Sequence, residues 1–372
     1  MAKKDKKFSK GQTFGVSFVT CLLGVIVGVI GSIAYTLVDV KSDEKDRGAV
    51  VGKVYDDFQI HFLELGNIYA GDSIYIKAGE VDILIDAGSR ANSKDTIKNY
   101  INEYVEDNKL EYVIATHAHQ DHIAAFGCEE GIFESYDIDT IIDFPLTNSE
   151  TRVFKKYKEA RDLAIKNGAK HYTALQCYNN EDGASSTYTF SENMSMEILY
   201  NYYYEEETKN ENDYSVCVLF KYGSTKYLLT GDLEEDGEKY LATKHAEDIK
   251  DCDLFKAGHH GSYTASTEEL LSVVKPSISV CTCVCGSTEY TNAKENTFPS
   301  QNYINRISEY TDKVYITSLC NDYEKGEYTS MNGNVIVSSN GNEVAVACSN
   351  NNDILKDTEW FKNNRECPEK WK

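Results

Sequence analysis

The sequence predicts a mixed α/β fold with its chemistry on loops at strand ends. Three observations carry this. Leu110–Ala115 reads as a short buried strand and runs directly into His117-Ala118-His119-Gln120-Asp121-His122. Lys226–Thr230 is a second buried strand, ending in Gly231-Asp232. A third, Asp253–Ala257, leads into Gly258-His259-His260-Gly261-Ser262. Loops at the carboxyl ends of strands are where α/β folds commonly place ligand sites.

The H-x-H-x-D-H run has a chemical reading of its own. His117 and His119 are two apart, so a near-extended segment points both the same way and lets them chelate one cation. Asp121 and His122 follow where the chain turns and can serve a second cation. Imidazole with carboxylate suits zinc, and also manganese or iron. Three of the chain's eight histidines fall in this one run.

The chain in order begins with residues 1–10, a basic tail. Residues 11–38 hold no charged residue and are rich in Val, Ile, Leu and Gly, long enough for one membrane-spanning helix. Basic residues before it predict a cytoplasmic N-terminus and a domain outside the cell membrane. A cleaved signal peptide is the rival, but no clean small-residue cleavage site follows. Gly24-Val25-Ile26-Val27-Gly28 is a pattern that pairs helices, so a helix-mediated homodimer is an expectation. Residues 39–57 read as a charged linker, 58–347 as the folded domain and 348–372 as a polar tail without period.

Within the domain, Phe58–Leu65, Asp72–Lys77 and Val81–Asp86 alternate as strands. Ser93–Val105 has helical spacing with Ser93 as its N-cap, and Glu150–Asn167 is an amphipathic helix closed by Gly168. Lys239–Lys250 is read as a further helix. Asn340-Gly341 joins two alternating runs as a hairpin. His61 reads as a structural residue on the first strand. His171 is a weak ligand candidate, because it opens a strand just after a helix. Tyr200–Tyr204 is either a strand edge or an aromatic binding surface.

The net charge is −22; the first 38 residues carry five lysines against Asp5, leaving the remainder at −26. Such a surface does not draw nucleic acid from a distance, although bound metal can create a local positive site. Eleven cysteines show no C-x-x-C pair. Cys281, Cys283 and Cys285 alternate and should face one side of a strand as free core thiols.

Together these stretches resemble the metallo-β-lactamase superfamily, and within it the metallo-β-lactamase-like domain of the DNA-uptake protein ComEC. The carriers are Leu65–Asp72 with Leu84-Ile85-Asp86-Ala87-Gly88, the H-x-H-x-D-H run, Asn212-Asp213-Tyr214-Ser215, Leu228-Leu229-Thr230-Gly231-Asp232 and His259-His260-Gly261-Ser262. The resemblance spans residues from about 58 to 345. It implies an αββα sandwich and a dinuclear site. His117, His119 and Asp232 would hold one metal; Asp121, His122, Asp232 and His260 would hold the other, with Asp232 as the bridge. His260 rather than His259 is the expected ligand of the pair, and His259 a proton carrier. Asp86 would orient the ligands beneath the site. Asn212, Asp213 and Ser215 are candidates to complete or line the site, although Asn-Asp also suits a plain strand-entry turn. Ser262 and Thr264 are candidate substrate contacts. Phe298 stands where the family has histidine.

The expectation is therefore a metal-dependent hydrolase with two divalent ions, zinc first. A metal-bridging hydroxide would cleave a phosphodiester, with Asp121, Asp232 and His259 as the catalytic groups. Nucleic acid and a cell-envelope ester such as a phosphocholine-bearing teichoic acid are the alternative substrates, and charge does not favour the former. A non-catalytic metal-binding or assembly module on the same fold is the other class.

Overall fold

A computed structural model describes residues 48–372. The readings made on residues 1–47, among them the apolar span, the glycine pair and Cys21, lie outside the described residues. Among those residues no helix is long and apolar enough to cross a membrane.

The chain builds two sheets face to face. The first takes β1 (Val50–Val51), β2 (Phe58–Phe62), β3 (Ile74–Ala78), β4 (Val81–Ile85), β5 (Lys109–Ile114), β6 (Asp137–Asp143) and β7 (Lys170–Thr173). The second takes β8 (Thr187–Ser191), β9 (Met194–Leu199), β10 (Cys217–Tyr222), β11 (Thr225–Leu229), β12 (Leu254–Lys256), β13 (Ile278–Cys285), β14 (Val314–Asp322) and β15 (Glu327–Ser330). The hairpin β16 (Val335–Ser339) and β17 (Val344–Cys348) then returns to the first sheet. Strand order is β1-β17-β16-β2-β3-β4-β5-β6-β7 in one sheet and β15-β14-β13-β12-β11-β10-β9-β8 in the other.

Alternation along the strands explains the layering. In β10, Val218 and Phe220 join the core shared with Phe58, Ile60, Ile76 and Ile83 of the first sheet. Cys217 and Leu219 point the other way, into a second core. That second core is completed by Leu241, Leu270, Leu271, Tyr303 and Ile304, which lie on the helices Glu235–Lys244, Glu268–Val274 and Gln301–Ile307. On the first sheet the helix Ser93–Ile101 contributes Ile97 and Ile101, and Arg152–Lys166 contributes Tyr157 and Ala164. This is a mixed α/β fold of two sheets with helices packed against both. All three cysteines of β13 enter the second core, while Ile278 and Val280 enter the first. The ten described cysteines are free.

Several boundaries differ from the sequence reading. Ser93 is the first residue of its helix, behind Asn92, because its Oγ is taken by Ser89 N at 3.1 Å and Asn67 Nδ2 at 2.9 Å. The helix read over 239–250 begins at Glu235 and breaks at His245. Strand β1 lies inside the stretch read as linker and pairs in parallel with β17. The tail packs by isolated anchors, Leu355, Phe361 and Trp371, in the second core. Tyr202–Tyr204 forms a short 3-10 turn, with Tyr204 buried and Tyr202 stacked on Tyr240 at 4.1 Å.

Candidate metal centre

The parallel pairs β4/β5 and β11/β12 end on the same side, each handing its loop to one place. Asp86 follows β4, the histidine run follows β5, Asp232 follows β11 and His260 follows β12. Backbone bonds lock these loops together: Asp72 N to Asp121 O at 3.0 Å, Ala87 N to His122 O at 2.7 Å and Gly88 N to Asp72 O at 2.8 Å. A Cβ on Gly88 would lie 1.5 Å from the Asp121 carbonyl oxygen, so only glycine permits this approach. Asp86, His259 and His260 have φ of 58°, 44° and 56°, a left-handed conformation that non-glycine residues adopt mainly where the surroundings force it.

Asp121, His122, Asp232 and His260 bring one ligand atom each within 4.8 Å of one another. His122 Nε2 is 3.0 Å from Asp232 Oδ2, and His260 Nε2 is 3.3 Å from the same oxygen and 3.6 Å from Asp121 Oδ2. His260 Nδ1 meets the Thr282 carbonyl at 2.9 Å, which leaves the wholly buried Nε2 without a hydrogen-bond partner. Its nearest neighbours are the Asp232 and Asp121 carboxylates, so His260, His122 and both carboxylates converge on one point where a cation can replace a proton. His122 Nδ1 is braced 2.7 Å from Asp86 Oδ2, and Asp86 also accepts from Thr116 N at 2.8 Å and Thr116 Oγ1 at 2.7 Å. The donor set and its bracing fit a divalent cation of the zinc, iron or manganese kind.

His117 and His119 form a separate pair. His117 Nε2 and His119 Nδ1 are 3.0 Å apart, a separation that two nitrogens each about 2.1 Å from one cation can span. His117 Nδ1 faces Thr116 Oγ1 at 3.1 Å and Ser215 Oγ at 3.4 Å. Ser215 Oγ also accepts from Asp232 N at 3.1 Å, tying the pair to the cluster. Asn212 donates to Glu234 Oε1 at 3.0 Å, and Asp213 accepts from Thr208 Oγ1 at 3.4 Å. Both belong to a 3-10 turn, Glu211–Tyr214, that leads into β10. Asp213 is not in the clustered ligand groups, and burial, with Glu234 nearby, pushes its carboxyl up to about 6.

Proton affinities follow this geometry. Burial would strip His122 and His260 of their second proton, but Asp232 beside both, with Asp86 at His122 and Asp72 at His260, holds each well above the usual imidazole range. His117, with no carboxylate at contact distance, is driven well below it by burial and by its histidine neighbours. Burial opposes ionisation of Asp232 and Asp121, yet the adjacent histidines keep both well below the usual carboxylate range.

Four groups here had no role in the sequence reading. Asp72 receives the Thr282 hydroxyl and sits 2.8 Å from the Lys256 ammonium. Lys256 is 1% exposed and also donates to the Gly231 and Ala257 carbonyls at 3.0 and 3.1 Å, with Asp232 Oδ1 at 3.5 Å. Glu234 accepts from His259 Nδ1 at 2.8 Å and Thr264 Oγ1 at 2.8 Å. Tyr290 donates to Asp121 Oδ2 at 2.7 Å. The Gly71-Asp72 dipeptide inside the quoted loop was the one available signal. Ser262 Oγ lies 2.9 Å from Thr264 Oγ1, on the edge of the Glu234 group. Phe298 walls the site, its ring 5.6 Å from His259 and 5.9 Å from His260. The remaining two readings are plain. His61 is buried between Tyr100 and Gln59, and His171 bonds Asp143 at 2.8 Å on the far strand β7.

Residues 66–127, which include the whole histidine run, match the model of the metallo-beta-lactamase superfamily. The chain is 30% identical over 112 residues to Recombination protein 2 of Haemophilus influenzae, covering 30% of this chain and 13% of that protein. It is 25% identical over 179 residues to ComE operon protein 3 of Bacillus subtilis, covering 46% and 20%. It is 30% identical over 115 residues to Competence protein ComA of Neisseria gonorrhoeae, covering 31% and 16%. The chain thus spans a fifth or less of these relatives' length. Among solved structures, the metallo-beta-lactamase fold protein YhfI from Bacillus subtilis aligns with a TM-score of 0.42 at 13% identity, over 74% of this chain and 100% of that one. CmlA, a diiron beta-hydroxylase from Streptomyces venezuelae, aligns with a TM-score of 0.37 at 12% identity, over 61% and 44%. Sequence match and histidine run agree: residues 66–127 match the metallo-beta-lactamase superfamily, and the chain is similar to segments of these three longer proteins.

Proposed function

We propose that this protein is a dinuclear metallohydrolase that cleaves phosphodiester bonds, anchored by residues 11–38 with its domain outside the membrane. The observation that carries the hydrolase reading is the convergence of ligand atoms from Asp121, His122, Asp232 and His260 within 4.8 Å of one another, all four in segments that follow a strand end. Asp121, His122, Asp232 and His260 would hold one cation, and His117 and His119, with Asp232 between, the other. When bound, such ions polarise a substrate oxygen and supply a nucleophile at neutral pH.

The chain's own residues complete the work. Metal-free, the carboxylates of Asp72, Asp86, Asp121 and Asp232 are countered by the Lys256 ammonium and by the protons His122 and His260 retain. Divalent cations would replace those protons and make room for an anionic oxygen. His259, fixed by Glu234 at Nδ1 and with Nε2 3.9 Å from Asp232 Oδ2, is placed to carry a proton to the leaving group. Phe298 and the loop holding Tyr290 limit water at one side. The surface charge of −26 beyond residue 38 supports a short or wall-bound phosphodiester over long duplex DNA.

The test is metal content of the purified full chain by elemental analysis, with turnover of bis-p-nitrophenyl phosphate in the same sample. Near two ions per chain and turnover abolished by His119→Ala is the expected result. No ion and no turnover after reconstitution with zinc or manganese would overturn it and favour a binding module.

A further inference from the structure

Beside the ligand cluster lies an open groove of about 300 Å³, with Ala124, Cys128 and Val153 at its base and the exposed Ala91, Gln120, Arg152 and Lys156 at its rim. It shares a wall with the candidate centre. The short helix Gln120–Ile123 and the residue after it, Ala124, present Gln120 and Ala124 to this groove, while Asp121 and His122 belong to the cluster. Groove and cluster therefore sit on two sides of one helical turn.

The lining has two characters. Ala124, Cys128 and Val153 make an apolar floor. Arg152 and Lys156 are four apart on the helix Arg152–Lys166, so they stand one above the other on the same face. Among the described residues neither side chain makes an ion pair, whereas Arg90 is held by Glu289, Arg161 by Asp143 and Lys94 by Glu130. Two exposed cations one helical turn apart, both without an ion pair among the described residues, stand beside an apolar floor. On a chain of net charge −22 they offer a place for an anion that carries a carbon skeleton. Gln120 adds an amide that can donate to the same anion.

We infer that this groove binds one phosphate, with its attached carbon unit, of a poly-phosphodiester chain whose neighbouring linkage lies at the metal centre. Arg152 and Lys156 hold the phosphate, Gln120 completes its contacts, and the apolar floor takes the sugar or glycerol carbons. This rests on the phosphodiesterase reading and adds a specificity to it: the enzyme selects a repeating phosphodiester over an isolated one. The shared chemistry fits an oligonucleotide or a glycerol-phosphate polymer.

The experiment uses the zinc-loaded full chain and two fluorescent octamers, of thymidine and of glycerol. Their linkages are isosteric phosphonates, which keep one charge per unit and resist cleavage. Fluorescence anisotropy gives the Kd for the parent chain, for Arg152→Glu/Lys156→Glu, and for a control pair on the same helix outside the groove, Lys155→Glu/Lys158→Glu. The groove pair should weaken at least one octamer by about tenfold or more, through loss of two phosphate contacts, and the control pair by no more than about twofold. The conservative exchange Arg152→Lys/Lys156→Arg should keep most of the binding. Which octamer binds the parent chain more tightly separates the two polymer sources. Equal weakening by both pairs, or by neither, overturns the groove as a phosphate site. Failure of the parent chain to turn over bis-p-nitrophenyl phosphate would instead strike the phosphodiesterase reading, leaving the Kd comparison readable.

Discussion

The two halves of the candidate centre are built differently. In the cluster His122 is braced from behind by Asp86, His260 by the Thr282 carbonyl and the Asp232 backbone by Ser215, while the exposed Tyr290 holds Asp121 at the oxygen that faces His260. The His117/His119 pair has hydroxyls behind His117 and only His117 itself behind His119, which is partly exposed. Bracing fixes ring orientation and raises ligand basicity, so the cluster is the pre-formed half and the pair the adaptable half. A rigid position should retain its ion; an open one should exchange ions and admit substrate oxygen.

The sharpest way to break this comparison is to remove the group between the halves. Asp232→Ala should empty both positions and abolish turnover, read by elemental analysis; a full metal complement in this variant would sink the dinuclear arrangement. A smaller and one-sided effect is expected from His119→Ala. It should leave about one ion per chain, held by the cluster, and titration with a chromophoric chelator should show the weaker of two sites gone. Loss of both ions would make the two halves one cooperative unit.

Lys256→Met tests the brace beneath the cluster without replacing a candidate ligand, although it removes the 3.5 Å contact to Asp232 Oδ1. It leaves Asp72 buried without its closest cation, with only the imidazoles of His260 and His122 nearby, which should cost up to about 3 kcal/mol of metal-free stability in denaturant titration. Adding Asp72→Asn should recover much of that loss, and no recovery would mean the ammonium acts through its carbonyl contacts instead.

The smallest effect is a slope with pH. His122 and His260 have folded pKa values raised above their unfolded value of about 6.5. Their stability is therefore fully present below 6.5 and is lost as pH rises through the folded values. His117 and His61 are lowered, so they add an opposing slope that fades as pH rises past about 6.5 and their unfolded imidazoles lose the last protons. Cations replace the two retained protons, so zinc should stabilise more as pH rises from 6.5 to 8. Melting with zinc and with chelator across that range reads this directly. Buried cysteines and tyrosines away from the cluster shift both forms alike, and the difference isolates it. A gap that narrows with rising pH would contradict the proton assignment.

What could be read from sequence was what lies contiguous in it. The histidine run, Gly231-Asp232 and His259-His260-Gly261-Ser262 each pack several chemical groups into a few residues. Asp86 was legible through its strand ending. Lys256 was not, because a lysine near a strand end ordinarily faces water; here Asp72 lies 184 positions away in the chain and reverses that preference. Tyr290 was silent for the same reason, because Asp121 comes from the other sheet; Glu234 was silent because Asn212, His259 and Thr264 meet it only when the loops flanking β10, β11 and β12 assemble. Ser93 was misplaced by one residue because its hydroxyl serves a neighbouring loop. The last 25 residues lacked a period because single side chains, not a helical face, hold them down.

One of those contacts reaches further than its position suggests. The buried guanidinium of Arg365 donates to the Thr297 carbonyl at 2.8 Å and the Pro299 carbonyl at 3.1 Å. It thus clasps both flanks of Phe298, whose ring walls His259 and His260. A truncation ending before Arg365 would spare every candidate ligand, yet an assay would score it as an active-site lesion. Affinity tags and deletion boundaries at this end are, in effect, mutations of the candidate site's wall.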